Sequence, residues 1–173
     1  NSEFTNGYGF PIKANDFISE IDFYLKYKYT RIKDFLLDFG FRQNNVSFES
    51  ETMKMFEPRI NLRYNVNPDF SVKASATLMH QFMISNINDD DIIPLFEAKI
   101  PLKKPLSPER ASQYVIGIDA RLFNNFKIIF QGYYKNISNY IGYNIDRTNE
   151  DEKDFVTGSG TCKGIETLIK FNF

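Results

Sequence analysis

Few residues in this chain could carry catalytic or metal chemistry. Histidine and cysteine each occur once, as His80 and Cys162. A metal site built from several histidines, or a disulfide framework, therefore cannot form within the chain. Gly158 and Gly160 are not followed by the Gly-Lys-Ser/Thr sequence of a phosphate-binding loop. We accordingly expect no catalytic residue, no metal site and no cofactor, in a protein that is not an enzyme.

The most concentrated charges are acidic. Asp89, Asp90 and Asp91 are consecutive, and a second acidic group lies within 146–154. Carboxylate oxygens are suitable ligands for calcium, but the spacing matches no EF-hand loop. A run of like charges is more often a solvated surface. Both groups fall between predicted strands, so we expect loop residues rather than metal ligands.

Most other charges alternate with apolar residues, as in half-buried strands. The clearest case is a predicted hairpin whose arms run through 114–122 and 126–135. Because successive side chains of a strand point to opposite faces, each arm has one apolar face and one mixed, mostly polar face. Each arm reaches nine residues or more, about the length needed to cross a bilayer at a tilt. The hairpin therefore predicts a membrane β-barrel.

The same alternation predicts further strands near 17–30, 35–42, 56–65, 70–78 and 163–173. Residues 1–16 are predicted to be a loop. The connections alternate between short ones, near 31–34, 66–69 and 124–125, and long ones, near 44–54, 79–111 and 144–161. Outer-membrane barrels have tight periplasmic turns and longer extracellular loops, so Asp89, Asp90 and Asp91 are candidate extracellular-loop residues.

These features predict an all-β fold: an antiparallel, up-and-down transmembrane β-barrel, of which residues 1–173 form a single region with about seven strands. No apolar run approaches the roughly 18 residues of a transmembrane helix. The mean hydropathy of −0.38 is compatible with a barrel, because every second residue faces a polar interior. A net charge of −1 gives no basis for binding nucleic acid. A soluble or secreted β-barrel or sandwich that acts as a binding module is the alternative.

The charged side chains must point away from lipid, since an Arg or Lys at the bilayer midplane costs about 2–4 kcal/mol. The candidate lumen-facing residues are Arg59, Arg63, Lys73, Asp119 and Arg121. The Phe, Ile, Leu and Tyr faces would then meet outer-membrane lipid. Tyrosines near predicted strand ends, such as Tyr114 and Tyr134, suit an interfacial girdle, although each could equally fill a sheet core.

Five short motifs occur in a set order between about 57 and 170. They are EPRINLRY from Glu57, MHQ from Met79, PERASQYVIG from Pro108, YYK from Tyr133 and GSGTCKGIE from Gly158. In this order they resemble the barrel of TonB-dependent outer-membrane receptors, especially those of Bacteroidetes-type bacteria. Each motif alone is weak; their order over most of the chain is fairly specific.

The resemblance implies a receptor in the bacterial outer membrane that binds a scarce nutrient, such as an iron chelate, cobalamin or an oligosaccharide, and imports it with energy relayed by TonB. Such receptors carry a plug domain before a barrel of about 22 strands. These 173 residues contain no plug, so we expect a fragment of the barrel whose partners are the plug and the rest of the barrel. The inward cations would then pack against the plug or favour an anionic substrate.

Overall fold

The computed structural model describes residues 2–5, 11–14, 17–48, 51–86, 98–102, 106–123, 125–144, 148–149, 152–153 and 155–171. The strands are β1 (Ser2–Thr5), β2 (Pro11–Ala14), β3 (Ile18–Tyr29), β4 (Phe35–Phe48), β5 (Glu51–Asn67), β6 (Phe70–Gln81), β7 (Met83–Asn86), β8 (Ala98–Pro101), β9 (Glu109–Leu122), β10 (Phe126–Tyr143) and β11 (Phe155–Phe171).

The seven long strands form one antiparallel sheet in the order β11-β10-β9-β6-β5-β4-β3. The predicted seven-stranded, up-and-down arrangement is therefore confirmed. Strands β7 and β8 pair only with each other, and β1 pairs with β2, in two small separate sheets. Strands β7 and β8 lie within the connection from β6 to β9. Strands β6 and β9 are nevertheless neighbours in the long sheet.

Tight turns join the long strands at one end of the sheet. Asp34 and Phe123 adopt left-handed φ angles of 62° and 57° at the β3–β4 and β9–β10 turns, conformations that non-glycine residues rarely occupy outside turns. In the β5–β6 turn the Asn67 side-chain oxygen accepts the Asp69 backbone N–H at 2.9 Å, the local bond for which Asn is favoured in turns. The short connections predicted near 31–34, 66–69 and 124–125 are confirmed.

At the other end of the sheet the strands are longer than predicted. The prediction of a loop at 44–54 is wrong, because β4 and β5 extend into this range and pair as far as Phe48 and Glu51. Strand β11 begins at Phe155, inside the predicted connection at 144–161. The predicted loops at 1–16 and 79–111 contain the short strands β1, β2, β7 and β8. Alternation of polar with apolar residues fades at these polar strand ends, so it does not predict them as strand.

The sheet has two chemically distinct faces, as predicted. The apolar face carries exposed side chains that include Phe23, Leu25, Phe39, Ile60, Tyr64, Tyr114, Ile116, Phe130, Tyr134, Ile165 and Ile169. The register places Ala74, Ile116, Gly132 and Ile165 side by side in one row of this face. A soluble sheet buries such a face against a second layer. No second layer covers it among the described residues.

The buried apolar residues form two small clusters near the end with the longer connections. Val46, Phe48 and Met55 pack with Ile18, Met53 and Phe82. Ile84, Leu102 and Ile141 pack with Leu106 and Phe155, and the Leu102 backbone N–H donates to the Phe82 carbonyl at 2.7 Å. The segment between β6 and β9 is therefore anchored to the sheet at two points. Among the described residues no helix is long and apolar enough to cross a membrane.

Candidate functional site

The candidate site is the second face of the sheet, here called the charged face. All five residues predicted to face the lumen lie on it. The register aligns Arg63, Lys73, Gly117, Gln131 and Glu166 across β5, β6, β9, β10 and β11. Asp119 and Arg121 follow Gly117 on the same face of β9, and Arg59 lies four residues before Arg63 on β5.

Asp119 is the centre of a lysine–carboxylate cluster. Its Oδ2 atom lies 2.6 Å from the Lys73 Nζ and 3.8 Å from the Lys127 Nζ. The Asp119 residue is 7% exposed, yet its Oδ1 atom has no hydrogen-bond partner among the described residues. The hydroxyl of Ser71, its cross-strand neighbour, is likewise buried and unpartnered there. A buried acceptor without a donor costs free energy, so a further molecule that donates a hydrogen bond to the Asp119 Oδ1 would be stabilised here.

Two further cations of the predicted set lie beside this cluster. The Arg63 Nε donates to the Asn65 side-chain oxygen at 2.9 Å. Arg121 lies 4.0 Å from the Asp69 carboxylate, and both side chains are well exposed. With Lys73 and Lys127, this region has four cations, and within the described part of the chain their ion pairs reach two carboxylates, Asp69 and Asp119. This part of the charged face is net positive.

A recess of about 380 Å³ opens on the charged face between these residues; Arg63, Lys73, Asp119 and Gln131 are among those that line it. Gly117 lies within it, at the close approach of β9 and β10. A Cβ atom at Gly117 would come within 2.9 Å of both the Gln131 Cβ and the Phe130 carbonyl oxygen. Real Cβ atoms do not approach so closely, so the position requires glycine.

A second network lies farther along the charged face, toward the longer connections. Glu57 is 3% exposed, and its Oε1 accepts the His80 backbone N–H at 2.7 Å. Its Oε2 lies 3.5 Å from Arg59 and 3.9 Å from Arg42. Arg42 also pairs with Asp22 and Glu20. Ladder pairing of β5 with β6 ends at Arg59 and Thr77, so Glu57 supplies an acceptor where the ladder no longer does.

Sequence reasoning missed the structural role of Glu57 and Arg42. The sequence places Glu57 in the EPRINLRY motif and Arg42 at the end of the strand predicted near 35–42, and neither observation predicts a buried network. A usable signal did exist: Pro58 has no backbone N–H and marks a place where ladder pairing can end, so the polar side chain of Glu57 beside it is a candidate to bond backbone groups that the ladder leaves free. The His80 amide that Glu57 binds belongs to a different strand, β6. No local sequence pattern indicates which residue of β6 lies beside Glu57.

The remaining candidates fall elsewhere. Asp89, Asp90 and Asp91 lie outside the described residues. Cys162 is exposed on β11, with its Sγ 3.9 Å from the Tyr133 hydroxyl. Of the second acidic group, Glu152 accepts the Thr148 backbone N–H at 2.9 Å and the Asn149 side-chain N–H at 3.0 Å. These donors lower the pKa of Glu152 below its ordinary value. No group of three potential metal ligands occurs in the described part of the chain.

Comparison with known proteins gives a family and a fold. The family model described as "TonB dependent receptor-like, beta-barrel" matches residues 2–172. No curated protein sequence matches the chain. Similar solved structures include the ferric-catecholate import receptor Fiu of E. coli, at 12% identity and a TM-score of 0.63, over 90% of this chain and 26% of that chain.

Two further structures are similar. The ferripyoverdine receptor of the Pseudomonas aeruginosa outer membrane has a TM-score of 0.61 at 17% identity, over 95% of this chain and 22% of that one. The alcaligin outer-membrane receptor FauA of Bordetella pertussis has a TM-score of 0.57 at 15% identity, over 89% of this chain and 27% of that one. The chain thus spans about a quarter of the length of these receptors. It belongs to the TonB-dependent receptor family and forms part of the β-barrel wall of an outer-membrane protein.

Proposed function

We propose that this chain is one sector of the barrel of a receptor that binds a scarce nutrient outside the cell and imports it with energy relayed by TonB, without chemically converting it. The observation that carries the proposal is the family match over nearly the whole chain, joined to a sheet with one apolar and one charged face. The soluble binding module is not favoured, because the apolar face has no covering layer among the described residues.

The nutrient classes to test are iron chelates, cobalamin and oligosaccharides. Iron chelates come first, because Fiu is named as a ferric-catecholate import receptor and another similar structure as a ferripyoverdine receptor. The order of the five motifs supports a barrel of the Bacteroidetes type. Asp89, Asp90 and Asp91 would lie in an extracellular loop, where cargo first meets the receptor.

The charged face would line the lumen and pack against the plug domain. Plugged lumens need polar partners, and Asp119 offers an acceptor atom that the described wall does not use. A donor from the plug at Asp119, and plug carboxylates at Arg63 and Arg121, would complete the cluster. The rival role for these cations, attraction of an anionic nutrient, requires them to be reachable by solute in the presence of the plug.

Growth and uptake test this function directly. The gene that encodes the full receptor would be deleted, and uptake of radiolabelled ferric chelates, cobalamin and an oligosaccharide would be compared with the parent strain. We expect uptake of one class to fall to the level of a strain without TonB, and to return when the intact gene is restored. Unchanged uptake of all three classes, or uptake that persists without TonB, would contradict the proposal.

A further inference from the structure

A groove interrupts the apolar face of the sheet where β6, β9, β10 and β11 lie side by side. Its volume is about 680 Å³, and its lining includes Tyr114, Tyr134, Ile116 and Ile165. Gly132 and Ala74 alternate with the two isoleucines along one row of the register. A Cβ atom at Gly132 would find only the Gly164 carbonyl oxygen, at 3.8 Å. The small residues therefore leave a depression between large apolar walls.

A single cation lies at one rim of this groove. Lys163 follows Ala76, Tyr114 and Tyr134 in the next row of the register, on the apolar face. The Tyr114 and Tyr134 rings are 6.5 Å apart. Lys163 is exposed, and within the described residues it has neither an ion pair nor a side-chain hydrogen bond. A lysine on a lipid-facing surface is unfavourable unless its ammonium reaches the interface.

The position of this row fixes the interface that Lys163 reaches. On β9, β10 and β11 the next residues of the apolar face toward the longer connections are polar: Ser112, Asn136 and Thr161. Tyrosines at such a boundary mark a membrane–water interface. Since the longer connections are extracellular in outer-membrane barrels, the boundary belongs to the outer leaflet, and the groove extends from it into the hydrocarbon layer.

We propose that this groove binds one anionic lipid of the outer leaflet, with an acyl chain between the tyrosine and isoleucine walls and a phosphate group on the Lys163 ammonium. The groove matches the chain in polarity, and the unpaired ammonium matches the headgroup in charge. The proposed lipid site rests on the part of the proposed function that places the apolar face against lipid with the longer connections outside the cell. It does not depend on which nutrient the receptor imports.

The test is native mass spectrometry of the full-length receptor in detergent, titrated with phosphatidylglycerol or with zwitterionic phosphatidylcholine. We expect one bound lipid per receptor, with phosphatidylglycerol preferred. Gly132→Leu should fill the groove and weaken both lipids about tenfold. Lys163→Gln should weaken phosphatidylglycerol about fivefold and leave phosphatidylcholine nearly unchanged.

Two matched controls accompany these variants. Ala120→Leu adds the same kind of bulk to the apolar face outside the groove, and Lys170→Gln removes a lysine from the opposite face of the same strand. Both should bind lipid as the parent does. The proposal is overturned if Gly132→Leu or Lys163→Gln binds lipid as well as the parent, if the controls lose lipid equally, or if a receptor dimer occupies the groove instead. Lys163→Gln is a surface change, so it keeps the test valid even if Gly132→Leu folds poorly.

Discussion

Two buried carboxylates on the charged face are held in different ways. Glu57 uses both oxygens: Oε1 accepts the His80 amide at 2.7 Å, and Oε2 faces Arg59 and Arg42. Asp119 uses one oxygen, which pairs with Lys73 at 2.6 Å, while its other oxygen has no partner among the described residues. Both residues are almost fully buried. Their burial is therefore similar, and their hydrogen bonding is not.

This difference in hydrogen bonding distinguishes a residue that stabilises the barrel wall from one that is available to bind a partner. A carboxylate whose acceptors are used within its own sheet stabilises that sheet. One that leaves an acceptor unused bears a desolvation cost, which a partner molecule can remove by donating a hydrogen bond. Glu57 therefore holds β4, β5 and β6 together, and we propose that Asp119 meets the plug.

The largest effect is expected for Glu57→Leu in the full-length receptor. It leaves the His80 amide without its acceptor and Arg59 without its nearest carboxylate. Because both arginines are partly solvated, we expect the free energy of unfolding to fall by about 2–3 kcal/mol, which is less than the full cost of breaking a buried pair. Denaturant unfolding in detergent measures it. Asp69→Asn, which breaks an exposed pair with Arg121, should cost less than about 1 kcal/mol; equal losses would refute the distinction.

Asp119→Leu should lower the free energy of unfolding by less, about 1–2 kcal/mol. The destabilised region should also differ from that of Glu57→Leu. Hydrogen exchange of the full receptor, followed by mass spectrometry of peptides, locates it. We expect faster exchange in plug peptides for Asp119→Leu, and in peptides of β5 and β6 for Glu57→Leu. Asp119→Asn keeps an acceptor oxygen and should restore part of the protection. Identical exchange maps for the two leucine variants would remove the basis for assigning Asp119 to the plug.

Gly117→Ala tests how tightly the recess beside Asp119 is built. The new methyl group would press on Gln131 and on the Phe130 carbonyl at 2.9 Å. Overpacking of this kind costs about 1–3 kcal/mol. Rotation of a side chain cannot relieve it, because one contact atom is backbone and the other is a Cβ, so the lower part of that range requires β10 to shift slightly away from β9. Gly132→Ala, one strand away on the open apolar face, is the matched control and should be nearly neutral. Unfolding midpoints of the two variants give the comparison.

The smallest effect concerns Glu152, an exposed carboxylate whose bonds are local. Its pKa is lowered because the ionised form accepts the Thr148 amide and the Asn149 side chain. The stabilisation is complete above the ordinary Glu range and is lost as pH falls through the lowered pKa. Glu152→Gln should slightly raise hydrogen exchange of the peptide that spans 144–154 at neutral pH. The difference from the parent should vanish in acid; a difference independent of pH would show that ionisation is not involved.

The sequence predicted the sheet well wherever both faces differ in polarity. Along β9 and β10, alternation alone assigns Ile116 and Phe130 to one face and Asp119 and Lys127 to the other, and the register agrees. The same alternation predicts which five charged residues share a face. Alternation carries no information about strand ends that lie beyond the apolar band, such as 44–48, because both faces of the strand contain polar residues there.

Contacts within the candidate site were beyond prediction for a physical reason. The Lys73–Asp119 pair joins strands separated by the whole β7–β8 segment. Alternation fixes the face of each residue but not which strands become neighbours. The Glu57–His80 bond depends in addition on where β5 and β6 stop pairing, which is a property of the assembled sheet.

The most direct test of the account compares two adjacent isoleucines of β10. Ile128 pairs with Ala120 on the apolar face, and Ile129 pairs with Asp119 on the charged face. Cys162→Ser removes the thiol of this chain, and any cysteine elsewhere in the full-length receptor would also be replaced by serine. A spin label would then be placed at each position in the full-length receptor in a bilayer. We predict that lipid-dissolved oxygen relaxes the label at 128 far more than the label at 129, while a water-soluble nickel chelate does not reach 128. If oxygen relaxes the label at 128 no more than the label at 129, or if the nickel chelate reaches the label at 128, the assignment of the apolar face to lipid and the charged face to the lumen is contradicted.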